Sequence, residues 1–282
     1  MLRIALDTAG DIPSDWVNEY DVNMIPINIH FGEQTFYQGV DLDNEGFYKL
    51  VDETGVIPKT SQPTPQQFVD FYRQIAEPGD SILSIHVTSK LSGTYASAEI
   101  AARDLEGEYN VFPVDSAAGS AAQGFMAKEA RQMERAGSPI EAILDRLKSI
   151  SKYIEVILTL DTLDYARMSG RVGTMQAAMA SLLNVKPIVM LSDGFLEMSD
   201  KVRTRSKSLE QVINLIKDRI GDGLANVAVV HARDPKAGEA LMKKVRNVLN
   251  CNSLILTELS IGIAANLGPG TVGIVAYPIE QE

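Results

Sequence analysis

The chain of 282 residues has one cysteine, Cys251, and three histidines, His30, His86 and His231, far apart in sequence. A single thiol excludes an intrachain disulfide and fits a reducing compartment. Histidines so spaced show no ligand pattern, so no metal site is expected. No run approaches the roughly 18 apolar residues that a membrane span needs. A net charge of −11 argues against a nucleic-acid backbone or an anionic membrane as the main partner. Phosphate cradles are missing too. No Gly-x-Gly-x-x-Gly follows the first apolar run, and no Gly-x-x-x-x-Gly-Lys-Ser/Thr occurs, so nucleotide binding is the weakest reading. The first residues, Met1–Asp7, read as a strand and not a signal peptide, and the protein is expected to be soluble and cytoplasmic.

What is present is an apolar α/β pattern, with 45% hydrophobic residues. Before residue 150, a strand, a loop with acidic or hydroxyl residues and a helix follow one another three times. Leu2–Leu6 ends at Asp7-Thr8, Ser81–Val87 leads to the helix Tyr95–Leu105, and Val111–Val114 ends at Asp115-Ser116 before the helix through Gly124–Ala136. Such repetition predicts an open, mainly parallel, Rossmann-like sheet, with ligands outside the carboxyl ends of its strands. Asn23–Phe31 alternates as one strand. After Lys152 the pattern changes to β-rich segments, a buried helix over Met175–Asn184, and a hairpin, Lys186–Leu191 with Phe195–Val202, turning at Asp193-Gly194. Ala264–Gly270 reads as a loop between two strands. Two domains are expected, 1–151 with a parallel sheet and 152–282, α/β with a mixed sheet, with a ligand between them.

Two segments carry the functional signal, Thr60-Ser61-Gln62-Pro63-Thr64-Pro65 and Ser89-Lys90-Leu91-Ser92-Gly93-Thr94. Each sets small hydroxyls where an extended segment meets a helix. First-turn amides of a helix have no intrahelical partner and sit at the positive end of the macrodipole. Hydroxyls beside them add donors for a carboxylate or phosphate. Two such corners in an acidic chain suggest a holder for the anionic head of a small molecule. The plainer reading is that Ser92 and Thr64 cap helices while Thr60 shapes a turn.

Eight segments in order resemble the DegV family. They are Asp7-Thr8, Thr60-Ser61-Gln62-Pro63, Leu91-Ser92-Gly93-Thr94-Tyr95, Asp115-Ser116, Ser169-Gly170-Arg171-Val172, Lys186-Pro187-Ile188, Val202-Arg203-Thr204-Arg205 and Gly268-Pro269-Gly270. The resemblance implies a non-catalytic lipid carrier of two α/β domains that buries one long-chain fatty acid between them. It further implies presentation of the carboxylate to a separate ATP-binding fatty acid kinase subunit of the dihydroxyacetone-kinase type. The acyl phosphate so formed would go to phospholipid synthesis. No cofactor of the carrier itself is implied.

Carried over residue by residue, Thr60 and Ser92 hold the carboxylate, with Ser61 and the amides of Gly93 and Thr94 nearby. Arg171 lies near the head group and Arg203 meets the kinase. Arg203 and Arg205, with Lys201 and Lys207, form the main basic patch, although solvated surface arginines are the ordinary case. Asn266 stands where family members engaged with the kinase commonly have histidine. Its amide can donate to a carboxylate but cannot become cationic; as a plain turn residue it would need neither role. Arg171 can equally form a salt bridge between the domains. The stripes Ala117–Met126 and Met175–Leu183 are candidates for the tunnel lining, or plain core. Asp7 and Asp115 are expected to hold loops at the ligand-facing edge of the sheet.

Two rivals stand against the carrier. In one, a serine hydrolase or acyltransferase uses Ser92 with His86. However, Ser92 lacks the Gly-x-Ser-x-Gly elbow, and His86 lies in an apolar strand like a core histidine. In the other, the chain is a dihydroxyacetone-kinase-like subunit, which would hold a small polar substrate by histidine chemistry that the relevant loops lack.

Overall fold

A computed structural model describes residues 1–171 and 185–279, which leaves the helix and tunnel stripe expected from Met175 onward outside the described residues. The chain divides into two compact units, Met1–Lys152 and Tyr153–Glu282.

The first unit is built on a parallel sheet of β1 (Leu2–Asp7), β2 (Val22–Ile25), β6 (Ser81–His86) and β7 (Asn110–Asp115), in the order β2-β1-β6-β7. All three pairings are parallel. Strand β1 sends the chain to one side through β2 and to the other through β6. The switch point of this open sheet is therefore the crevice between β1 and β6. The proline at position 26 splits the single strand expected over Asn23–Phe31. Having no N–H, Pro26 ends the ladder after β2, and the chain restarts as β3 (Asn28–Phe31) in a second sheet. There β3 pairs antiparallel with both β4 (Gln34–Tyr37) and β5 (Lys59–Ser61).

Helix α3 (Pro65–Ile75) starts with a full capping box. Thr64 Oγ1 accepts from Gln67 N, Gln67 Oε1 accepts from Thr64 N, and Pro65 fills the first turn. Its buried face, Phe68, Val69 and Tyr72, packs with Ala98 and Ala101 of α4 (Thr94–Asp104) over Ala5 and Ile82. Burial of an aromatic or branched side chain contributes roughly 1.5–3 kcal/mol. Packing of this face therefore fixes the position of α3, and with it the corner just before its start. Helices α1 (Ser14–Glu19) and α2 (Asn44–Thr54) come earlier in the chain, and α5 (Ala121–Arg135) and α6 (Ile140–Tyr153) follow β7.

The second unit holds a six-stranded mixed sheet in the order β10-β9-β8-β13-β11-β12. Its strands are β8 (Glu155–Thr159), β9 (Lys186–Ser192), β10 (Phe195–Val202), β11 (Ala225–His231), β12 (Cys251–Glu258) and β13 (Val272–Pro278). Only β11 and β12 run parallel; the hairpin at Asp193-Gly194 joins β9 and β10 antiparallel. One face is covered by α8 (Arg205–Ile220) and α9 (Pro235–Val248), which set Val212, Ile216, Leu241 and Val245 on Ile157, Val229 and Ile274. Side-chain caps from Thr204 and Asp234 start these helices. The short helices α7 (Asp164–Ser169) and α10 (Ile261–Leu267) complete the unit. Helix α10 replaces most of the loop expected from Ala264. Positive φ occurs only after it, at Gly268 (+86°) and Gly270 (+76°).

Candidate head-group site

The loop from β6 to α4 spends its backbone donors one by one. Val87 N donates to Asp7 Oδ2 (2.9 Å), Thr88 N to the Ala118 carbonyl (2.7 Å) and Ser89 N to Asp115 Oδ2 (3.2 Å). Lys90 N donates to Thr88 Oγ1, and Leu91 N and Ser92 N both reach the Thr88 carbonyl. Gly93 N is the first amide of this run with no protein acceptor among the described residues. It sits at the N-cap of α4, where no side chain caps the helix. Beside it, the Ser92 hydroxyl lies 2.8 Å from Thr94 Oγ1 and accepts from Thr94 N (3.3 Å). Ser92 thus has a hydroxyl neighbour that can take either role, an arrangement that can turn toward an anion.

The second corner lies against the first. A β-carbon placed on Gly93 would stand 2.8 Å from Gln62 Nε2 and 3.1 Å from Gln62 Cδ. Glycine at 93 is what lets the Gln62 side chain lie there. Strand alternation then separates the two adjacent hydroxyls of β5. Ser61 pairs with Asn28 and Thr60 with Ile29, so the two hydroxyls face opposite sides of the small sheet. The Ser61 hydroxyl is held by His30 Nε2 (2.8 Å) and accepts from Asn28 Nδ2 (3.3 Å). Asn28 also donates to the Gln62 carbonyl and accepts from Gln67 Nε2. The half-buried Thr60 hydroxyl makes no hydrogen bond among the described residues. Of the pair, Thr60 therefore has the free donor, while Ser61 braces the strand. Sequence reasoning missed His30, Asn28, Gln62 and Gln67. Only the alternation of Asn28 and His30 in one short strand hinted that they share a face.

Behind both corners lies a buried polar chain. The Tyr72 hydroxyl donates to Ser84 Oγ (2.8 Å), Ser84 Oγ lies 2.7 Å from His86 Nε2, and His86 Nδ1 lies 3.1 Å from Asp7 Oδ2. Burial drives the Tyr72 phenol well above its ordinary range, the Ser84 contact offsetting this only in part. The phenol therefore remains a donor. With Tyr72 donating, the single Ser84 proton goes to His86 Nε2, which leaves Nδ1–H for Asp7. Ser84, His86 and Asp7 pair through the same atoms as a hydrolytic triad. Ser84 and His86 are nevertheless fully buried, and Tyr72 covers the serine. His86 thus bonds Ser84 and Asp7, and Ser92 bonds Thr94, a pairing that does not favour the hydrolase reading.

Asp7 also occupies backbone donors at the switch point. Its fully buried carboxylate accepts from Ala9 N of the β1 loop and Val87 N of the β6 loop, the donors an incoming phosphate would use.

The remaining predicted residues lie in the second unit. Asn266 is helical and half-buried, and its Nδ2 donates to the Gly262 carbonyl (2.6 Å). Arg171, just past the Gly170 cap of α7, folds back so that Nη1 donates to the Ser169 carbonyl (2.8 Å). Arg203 is exposed between β10 and α8 and makes no ion pair among the described residues. Arg205 leaves the expected basic patch, since Nη2 binds Asp234 Oδ2 (3.0 Å) and the Gly270 carbonyl (2.6 Å). The exposed patch is therefore Lys201, Arg203 and Lys207.

Comparison with known proteins decides the family. A family model described as "Uncharacterised protein, DegV family" matches residues 1–279. The chain belongs to the DegV family. Protein DegV of Bacillus subtilis is 32% identical over 279 residues, covering 97% of this chain and 98% of that one. Among solved DegV structures, a fatty-acid-binding member from Thermus thermophilus superposes with a TM-score of 0.91 at 30% identity, covering 99% of both chains. Bacillus subtilis DegV, described as a fatty acid binding protein, gives 0.87 at 28% identity and covers 98% of both. A stearic-acid-binding protein from Eubacterium ventriosum gives 0.88 at 26% identity, covering 99% of this chain and 98% of that one. The DegV α/β architecture, a parallel sheet plus a separate mixed sheet, is thus established for this chain.

Proposed function

We propose that this DegV protein is a carrier that buries one long-chain fatty acid and holds its carboxylate at the Thr60 and Ser92 corners. The observation that carries this reading is the unpartnered Gly93 amide at the start of α4, beside the Ser92 hydroxyl and against Gln62 of the corner that bears the free Thr60 hydroxyl, in a chain whose solved relatives bind fatty acids. A carboxylate accepting two or three such hydrogen bonds is stabilised without a lysine beside it. Affinity comes from the tail. About 16 carbons at roughly 0.8 kcal/mol per methylene give on the order of 12 kcal/mol gross, from which association removes at least about 4 kcal/mol. The head-group donors set direction and reject neutral lipids. Thr94 N already serves the Ser92 hydroxyl, so Gly93 is the principal amide donor and Ser61 supports from behind.

The finer reading adds a partner, an ATP-binding fatty acid kinase that phosphorylates the presented carboxylate. The exposed Lys201, Arg203 and Lys207 suit an acidic docking surface on such a partner. Catalysis then belongs to the kinase, and Asn266 supplies a neutral amide where kinase-coupled members commonly carry histidine. Solvent extraction of the purified protein followed by gas chromatography tests the carrier reading. A stoichiometric fatty acid is expected. An apo mass in gentle native mass spectrometry, together with no binding of added palmitate or oleate, would refute it.

A further inference from the structure

We infer that Tyr72, Ser84, His86 and Asp7 form a positioning chain that holds the two head-group corners in register; this rests on the carboxylate site proposed above. All four side chains are fully buried. What they join is informative. Tyr72 belongs to α3, which starts at Pro65 shortly after Thr60-Ser61-Gln62, and Asp7 accepts the first amide of the loop that ends at Ser92-Gly93. Ser84 and His86, on the central strand β6, connect the two ends through unbroken hydrogen bonds of 2.7–3.1 Å. Phe68 of α3 also sets its ring edge-on to His86 at 5.0 Å.

A fold held only by packing has no use for these groups. Desolvating a carboxylate, an imidazole and two hydroxyls costs several kcal/mol that well-packed apolar side chains would not incur. What directed bonds supply and apolar packing does not is a fixed offset along the strand. A slip of α3 against β6 breaks the Tyr72–Ser84 bond and moves Gln62 away from Gly93. A slip of β6 against β1 frees Val87 N and loosens the loop carrying Ser92. The network makes the spacing of the two corners a single, cooperative quantity.

The test measures head-group discrimination in delipidated full-length protein, as the ratio of dissociation constants for hexadecanol and palmitate. His86→Leu should lower the palmitate preference about tenfold, equivalent to roughly 1.4 kcal/mol, with hexadecanol affinity kept within about twofold. Leu147→Ala, a cavity at a fully buried core position of the same unit, should lower the melting temperature and leave the ratio alone. An unchanged ratio in folded His86→Leu overturns the inference, and so does an equal fall in Leu147→Ala. Should His86→Leu fail to fold, Tyr72→Phe decides; about a threefold fall is expected, and no fall overturns the idea. A wild-type protein that binds both probes equally refutes the head-group site itself, which separates the two failures.

Discussion

Thr60 and Ser61 are neighbours in β5 with similar side chains, yet removing their hydroxyls should have opposite effects. Thr60→Val deletes a hydroxyl without a protein partner among the described residues and leaves a β-branched residue in a strand. Stability of the lipid-free protein should stay within about 0.5 kcal/mol. If Thr60 donates to the bound carboxylate, the lost charge-assisted bond weakens palmitate binding by about 1.5–3 kcal/mol, roughly a 10- to 150-fold rise in Kd. Ser61→Ala instead removes the partner of His30 Nε2 and Asn28 Nδ2. Asn28 keeps the Gln62 carbonyl and the half-exposed His30 can turn to water, so the cost is about 1 kcal/mol. That corresponds to roughly 2–4 °C in Tm for a unit of this size. Palmitate Kd should rise no more than about threefold. Calorimetric melts of delipidated protein and isothermal titration with palmitate read both axes. The strand-alternation argument is refuted if Ser61→Ala abolishes binding while Thr60→Val retains it.

Ser92→Ala should raise palmitate Kd by about tenfold or more and speed release, measured by displacement of a fluorescent fatty acid; unaltered exchange would remove Ser92 from the site. Arg203→Ala should spare lipid binding and impair only kinase-dependent acyl-phosphate formation, so equal loss of lipid in the Arg203 and Ser92 variants would show that binding and docking are not divided in this way. Asn266→His should leave binding intact and improve acyl-phosphate yield; no improvement would give that helix end another role. Burial holds the His231 imidazole below its ordinary range, against the raising influence of Glu258, Asp234 and Glu239. A depressed folded pKa means that the unfolded state binds the extra proton, so stability present above the ordinary histidine range is lost as pH falls below it. Urea midpoints between pH 5 and 7.5 should decline on the acid side, and His231→Gln should flatten that limb.

The parallel sheet was legible because strand, loop and helix recur with little interruption, and α3 begins with a recognisable cap, Thr64-Pro65. The small antiparallel sheet was not. Its strands are three or four residues long, and only the missing N–H of Pro26 separates β2 from β3. Helix α10 hid for a related reason. Seven residues containing glycine, two isoleucines and an asparagine have little helical signal of their own, and the glycines after it resemble a loop. Within the candidate site the hydroxyl corners announced themselves as cap-like sequence, but their bracing could not. His30 and Ser61 are 31 residues apart, and Asp7 reaches Val87 across 80. Such contacts follow from strand order, which local periodicity does not encode.

With the amides of residues 87–92 already committed to internal acceptors, a carboxylate bound as proposed would have almost no backbone left to order around it. Hydrogen–deuterium exchange along that loop should be slow in empty and loaded protein alike, with Gly93 the position that changes. If the carrier reading holds, loading is gated by threading an oily tail into the protein rather than by folding a clasp around the acid.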